Sequence, residues 1–121
     1  MKNPILKLSA FEIVGSPYCV ASGDGQRVYD RLASALKEGY RVVLSFHNVS
    51  IVTSAFLNAA IGQLYGEFTE DKIRESLEVS AMTPDDVALL RRVVETAKQY
   101  FADPRIFAQA VRDELEDEDG V

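Results

Sequence analysis

Cysteine is nearly absent from this chain, and the single Cys19 has no internal partner. That excludes a disulfide framework within the chain and fits a reducing, intracellular setting. A lone thiol of this kind is expected as a small buried residue. Histidine is equally scarce. His47 stands alone, so no pair of histidines or cysteines occurs at metal-ligand spacing, and neither metal nor cofactor is expected. The glycines form no dinucleotide fingerprint, and Ser22-Gly-Asp-Gly25 lacks the lysine of a phosphate-binding loop, which leaves it as a turn. No apolar stretch approaches about 18 residues, and the first residues lack a long apolar core followed by a cleavage site. A cytoplasmic protein without a membrane partner is expected. Basic residues are outnumbered, 13 against 19 acidic ones, for a net charge of −6, which disfavours nucleic acid and anionic lipid as partners.

Hydrophobic residues make up 47% of the 121 positions, enough for one domain with a core that needs no metal or disulfide support. Much of the acidic excess sits in Asp113-Glu-Leu-Glu-Asp-Glu-Asp119. Residues 1–112 therefore read as the domain and 113–121 as a solvated acidic tail without fixed structure.

Residues 41–68 organise the rest. Arg41-Val-Val-Leu-Ser-Phe46 is a short β-branched and apolar run, as in a strand buried on most of its surface. A polar turn, His47 to Val52, follows. Thr53 and Ser54 then precede Leu57, Ala60, Ile61, Leu64 and Phe68, which recur at helical spacing, so one of the two hydroxyls is expected to cap a helix. A helix start carries free N–H groups and the positive end of the dipole, which suits an anion or a phosphorylated side chain.

Upstream, residues 5–13 alternate as an N-terminal strand, Gly15-Ser-Pro17 breaks it, and Tyr18-Cys-Val-Ala21 reads as a second strand antiparallel to the first. Asp24 is placed to cap a helix over Gln26–Glu38, with Val28, Leu32, Ala35 and Leu36 on its apolar face and Gly39 ending it. Downstream, Thr69 caps a short helical turn, Leu77–Met82 is a strand, and Thr83-Pro-Asp-Asp86 starts a long helix. Val87, Leu90, Val94, Ala97 and Phe101 form its stripe, which makes Asp85 and Asp86 capping residues rather than a catalytic pair. A last helix is expected from Arg105 to about Leu115. Alternating strands and helices predict an α/β layer on a small sheet.

The stretch Val43-Leu-Ser-Phe-His-Asn-Val-Ser-Ile-Val-Thr-Ser-Ala-Phe-Leu-Asn-Ala-Ala-Ile-Gly62 resembles the signature of STAS domains, in which an apolar strand ends in a polar turn and Asp-Ser or Thr-Ser opens the next helix. It is more closely similar to a STAS-like group of small bacterial domains, and more distantly to anti-sigma factor antagonists. The resemblance implies a single α/β domain with a small mixed sheet of four or five strands and helices packed mainly on one side. It also implies a non-enzymatic regulatory module. In the antagonists a serine at the helix start is phosphorylated by a partner that is both ATP-dependent serine kinase and anti-sigma factor, and phosphorylation ends binding. Ser54 is the matching position. Thr53 stands where the antagonists carry aspartate, and Ala55-Phe56 where they carry a small Ser-Gly pair.

The expectation is thus a protein-binding regulator that docks a kinase-type or anti-sigma partner through His47, Asn48, Thr53, Ser54, Phe56 and Asn58, with Ser54 as candidate phosphoacceptor. Phe56 is either an interface anchor or a core residue. One alternative is a structural or homo-oligomerising subunit in which Ser54 is only a cap. Another is a small enzyme using His47 and Ser54 in nucleophilic chemistry.

Overall fold

A computed structural model describes residues 4–102; the expected last helix and the acidic tail lie outside them. Among the described residues five strands form, divided between two small sheets. β1 (Ile5–Ser9), β3 (Arg41–Ser45) and β5 (Leu77–Ser80) lie in the order β1-β3-β5, and β2 (Tyr18–Cys19) pairs separately with β4 (Ile51–Val52). Every pairing is parallel. Between them run α1 (Ala10–Val14), α2 (Ser22–Lys37), α3 (Ser54–Ala60), a 3₁₀ turn (Gly62–Gly66), α4 (Glu70–Ser76) and α5 (Pro84–Ala102).

The register sets which face is core. Leu6 pairs with Val42 and Val42 with Leu77, while Leu8 pairs with Leu44 and Leu44 with Val79, so these residues line one face of the three-stranded sheet. Val42 and Leu44 are fully buried there under the helices. Lys7, Arg41 and Glu78 point the other way and are exposed, with Val43 half-buried in register between Lys7 and Glu78. The helices therefore pack mainly on one side, as the resemblance implies.

α2 buries Val28, Leu32, Ala35 and Leu36 as its periodicity predicts, and the chain leaves it through Gly39 at φ 89°, a left-handed conformation suited to glycine. α2 also comes close to α3 at one point. A Cβ on Gly25 would stand 2.5 Å from the Phe56 carbonyl oxygen and 2.8 Å from the Ala59 methyl. The Thr83 hydroxyl caps α5 by accepting the Asp86 N–H at 3.1 Å, and Thr69 caps α4 by accepting that of Lys72 at 3.1 Å. The α5 stripe is centred on buried Val93 and Ala97, and Phe101 emerges half-exposed.

Four local expectations are corrected. The first strand stops at Ser9, because Ser9-Ala-Phe-Glu12 is a helix-start signature. The Ser9 hydroxyl accepts the Glu12 N–H at 3.1 Å, and α1 runs on to a left-handed Gly15. With α1 intervening, β1 and β2 cannot form a hairpin, and β2 instead pairs in parallel with β4, a strand in what reads from sequence as turn. α2 begins at Ser22, so Asp24 lies in its first turn, 3.6 Å from Arg27, rather than at the cap. The central helix stops at Ala60 and continues only as the 3₁₀ turn, where Gly66 leaves room for the Phe101 ring.

Candidate functional site

The carboxyl end of β3 leads into the site. Phe46 N–H bonds back to the Ser80 carbonyl at 3.0 Å, and the turn closes with Val49 N–H on the Phe46 carbonyl at 3.1 Å. Ser45 accepts the His47 N–H at 3.1 Å, and Asn48 takes a left-handed conformation at φ 69°, which asparagine tolerates better than most residues. The chain then docks on β2: Ser50 N–H bonds the Pro17 carbonyl at 2.7 Å, β4 pairs with β2, and Thr53 N–H bonds the Cys19 carbonyl at 3.1 Å.

Thr53 is the cap. Its hydroxyl oxygen accepts the Phe56 N–H at 3.2 Å while its proton goes to the Val20 carbonyl at 2.6 Å. Both capacities of that hydroxyl are used inside the fold. Ser54 is consequently released from capping; it is exposed, and its hydroxyl has no hydrogen bond among the described residues. The adjacent Ala55 and Asn58 are exposed on the same side of α3, whereas Phe56, Leu57 and Ala60 turn inward.

Phe56 is 0% exposed and packs edge-to-face on Phe46, ring centroids 6.5 Å apart. It is a core residue in this fold and is unavailable as an interface anchor. The α3 periodicity explains why: position 56 falls on the inward arc with 57 and 60. His47 and Asn48 are exposed, but on the turn at the far end of β4 from Ser54. Among the described residues no hydrogen bond joins the imidazole to Ser54 and no carboxylate pairs with it. The structure thus gathers Thr53, Ser54 and Asn58 at one place and sets His47 and Asn48 apart.

Two open hollows flank the exposed face of α3. One, of about 600 Å³, lies between α3 and α5, with Ser54 and Asn58 on one wall and Arg92, Val93, Thr96 and Tyr100 on the other. The second, of about 660 Å³, lies toward the start of α2, against Ser22, Gln26, Ala59 and Gln63. The Gln63 amide ties the floor of the second hollow by donating to Gln26 and to the Ala59 carbonyl, both at 2.8 Å.

Residues 24–87, just over half the chain, match the family described as STAS-like domain of unknown function (DUF4325). This chain belongs to that family. The matched segment runs from the first turn of α2 into that of α5 and so contains β3, the turn, the Thr53 cap and α3. No curated protein and no solved structure matches the chain.

In this STAS-like domain an apolar patch adjoins the site that sequence reasoning missed. Tyr18 and Ile51 are register partners across β2 and β4, 55% and 49% exposed, and Val20, two residues on from Tyr18, is 42% exposed. Their neighbours Cys19 and Val52 face inward. The only sequence signal was the alternation Tyr18, Cys19, Val20, and it identifies an exposed face only once the pairing with β4 is known. Cys19 is fully buried, as expected, and burial, followed by the nearby Asp24 charge, pushes its thiol up to about 11. Such a thiol is a packing residue and a poor nucleophile near neutral pH.

Among the described residues no three His, Cys, Asp or Glu side chains gather in a metal-binding group, and no helix is long and apolar enough to cross a membrane. The surface chemistry around Ser54 is therefore apolar on the β2–β4 side, polar on α3, and cationic at Arg92.

Proposed function

We propose that this STAS-like domain is a non-enzymatic, cytoplasmic regulator that docks a protein partner across the exposed face of α3 and the adjoining Tyr18, Val20 and Ile51 patch. Docking is switched by charge at Ser54. The observation that carries this reading is the division of labour between neighbouring hydroxyls: Thr53 does the capping, and Ser54 is left exposed and unbonded among the described residues. A phosphate there adds about −1.5 to −2 charges without breaking any bond of the fold. The partner class supported by the family resemblance is an ATP-dependent serine kinase, which would modify the surface it binds.

Aromatic and aliphatic side chains such as Tyr18 and Ile51 supply desolvation energy at an interface centre, and polar Asn58 and His47 suit its rim. The test is photocrosslinking in cells from position 58, compared with position 7 on the open sheet face, in wild type and in the Ser54→Asp and Ile51→Arg variants. One protein crosslinked from 58 alone, and lost in both variants, with phosphate found on Ser54 by mass spectrometry, is the expected result. Crosslinks indifferent to both substitutions, with Ser54 unmodified, would overturn the reading.

A further inference from the structure

We infer that Arg92 receives the phosphate of a modified Ser54, so that the switch is a new ion pair bridging α3 and α5; this rests on the reading of Ser54 as phosphoacceptor. The hollow between the two helices holds both residues on facing walls. Among the described residues its lining contains a guanidinium, the Asn58 amide and the Thr96 hydroxyl but no carboxylate, in a chain whose net charge is −6. Arg92 and Tyr100 are its titratable groups among the described residues.

Arg92 is available for this task. It is exposed and has no ion pair among the described residues, whereas its α5 neighbour Lys98 is already committed to Glu70 at 2.8 Å and Glu95 at 3.7 Å. A guanidinium on a long stem can present two parallel N–H donors to phosphate oxygens, a geometry an ammonium cannot reproduce. The modification itself is an ordinary transfer from ATP on the kinase. The Ser54 oxygen forms a bond to the γ-phosphorus, the bond from that phosphorus to the β–γ bridging oxygen breaks, ADP leaves, and the hydroxyl proton passes to solvent or to a kinase base.

Closing the phosphate onto Arg92 has two consequences for docking. The phosphate takes up part of the hollow beside α3, and the Arg92 charge on its α5 wall is offset. A partner that pairs an acidic group with Arg92 loses that contact. Binding is thereby opposed by loss of the Arg92 contact as well as by repulsion.

The experiment uses full-length protein with phosphoserine genetically encoded at position 54, so that no kinase is required. Phosphorus NMR follows the second ionisation of the phosphate against pH. In wild type it is expected about 0.2–0.7 units below its value in the Arg92→Gln variant, the range of an exposed charge pair. Arg92→Lys should retain part of the shift, and Arg41→Gln, on the open sheet face, should leave it unchanged. Coincident titrations in wild type and Arg92→Gln would overturn the pairing whatever the crosslinking shows. Loss of the partner in Ser54→Asp alongside coincident titrations would leave the docking surface standing and remove Arg92 from it.

Discussion

Gly25→Ala is expected to destabilise this domain even though alanine is the better helix former. Within α2 the exchange by itself should gain about 0.5–1 kcal/mol, because glycine loses more backbone freedom on folding. The new methyl, however, would sit 2.5 Å from the Phe56 carbonyl oxygen, 2.8 Å from the Ala59 Cβ and 3.3 Å from the Ala60 nitrogen. The nearest of these is backbone, which has no rotamer to change. Restoring contacts of about 3.5 Å requires the two helices to part by about 1 Å. That shift loosens the packing of Leu32 and Leu57, both fully buried in the same core.

Overpacking of this kind costs about 1–3 kcal/mol, so the net loss after the propensity gain is up to about 2.5 kcal/mol, and it lies toward the upper end here because the nearest contact is backbone. For a domain near 100 residues this lowers the thermal midpoint by about 4–8 °C per kcal/mol. Urea unfolding measures it directly, with the slope checked for constancy so that the midpoint reports stability alone. Gly23 is the control. It lies in the same helix, has nothing within 4 Å of an added Cβ and has no left-handed φ, so Gly23→Ala should be neutral or slightly stabilising. If Gly25→Ala matched Gly23→Ala, the close approach of α2 and α3 described above would be wrong.

Phe56→Ala should cost about 3–5 kcal/mol in urea unfolding, as a buried aromatic does, while Ile51→Ala at the exposed patch should stay within about 0.5 kcal/mol. Equal small effects would return Phe56 to the surface. Thr53→Val keeps the side-chain shape but deprives the Phe56 N–H and the Val20 carbonyl of their partner, for a loss of about 1–2 kcal/mol; Ser54→Ala should change stability by less than about 0.5 kcal/mol. The reverse order would make Ser54 the cap. Glu70 is held below the usual carboxylate range, chiefly by the hydrogen bond from Lys98, so its contribution is present at neutral pH and lost as pH falls through that lowered value. Unfolding midpoints of wild type and Glu70→Gln should thus differ at pH 7 and converge once the pH has fallen through that lowered value, with a difference that shrinks in high salt; a gap persisting in acid would show that charge is not its source.

The sequence by itself determined what depends on near neighbours in the chain. Helical spacing marked the buried faces of α2 and α3, hydroxyl and proline signals placed the starts of α4 and α5, and Gly39 marked the end of α2. The family signature around residues 43–62 is local in the same sense, and the matched residues 24–87 contain it. Even α1 was legible in Ser9-Ala-Phe-Glu12, but the alternation over the same residues competed with it, and the capping bonds decided between them.

Tertiary structure alone decided which hydroxyl caps α3. Thr53 and Ser54 are chemically alike and adjacent, but Thr53 is fixed by the Cys19 and Val20 carbonyls, more than thirty residues away in sequence. The pairing of β2 with β4 makes those bonds, and a two-residue strand carries too few side chains to announce its partner. The same pairing turns Tyr18 and Ile51 outward together. The fate of Phe56 also waited for the fold, since an aromatic residue in the first turn of an amphipathic helix serves interface or core equally well until the helix is rotated against its neighbours. Arg92 and Ser54 are joined only by the packing of α5 against α3, which no local pattern records because the two walls of that hollow are separated by the whole of α4 and β5.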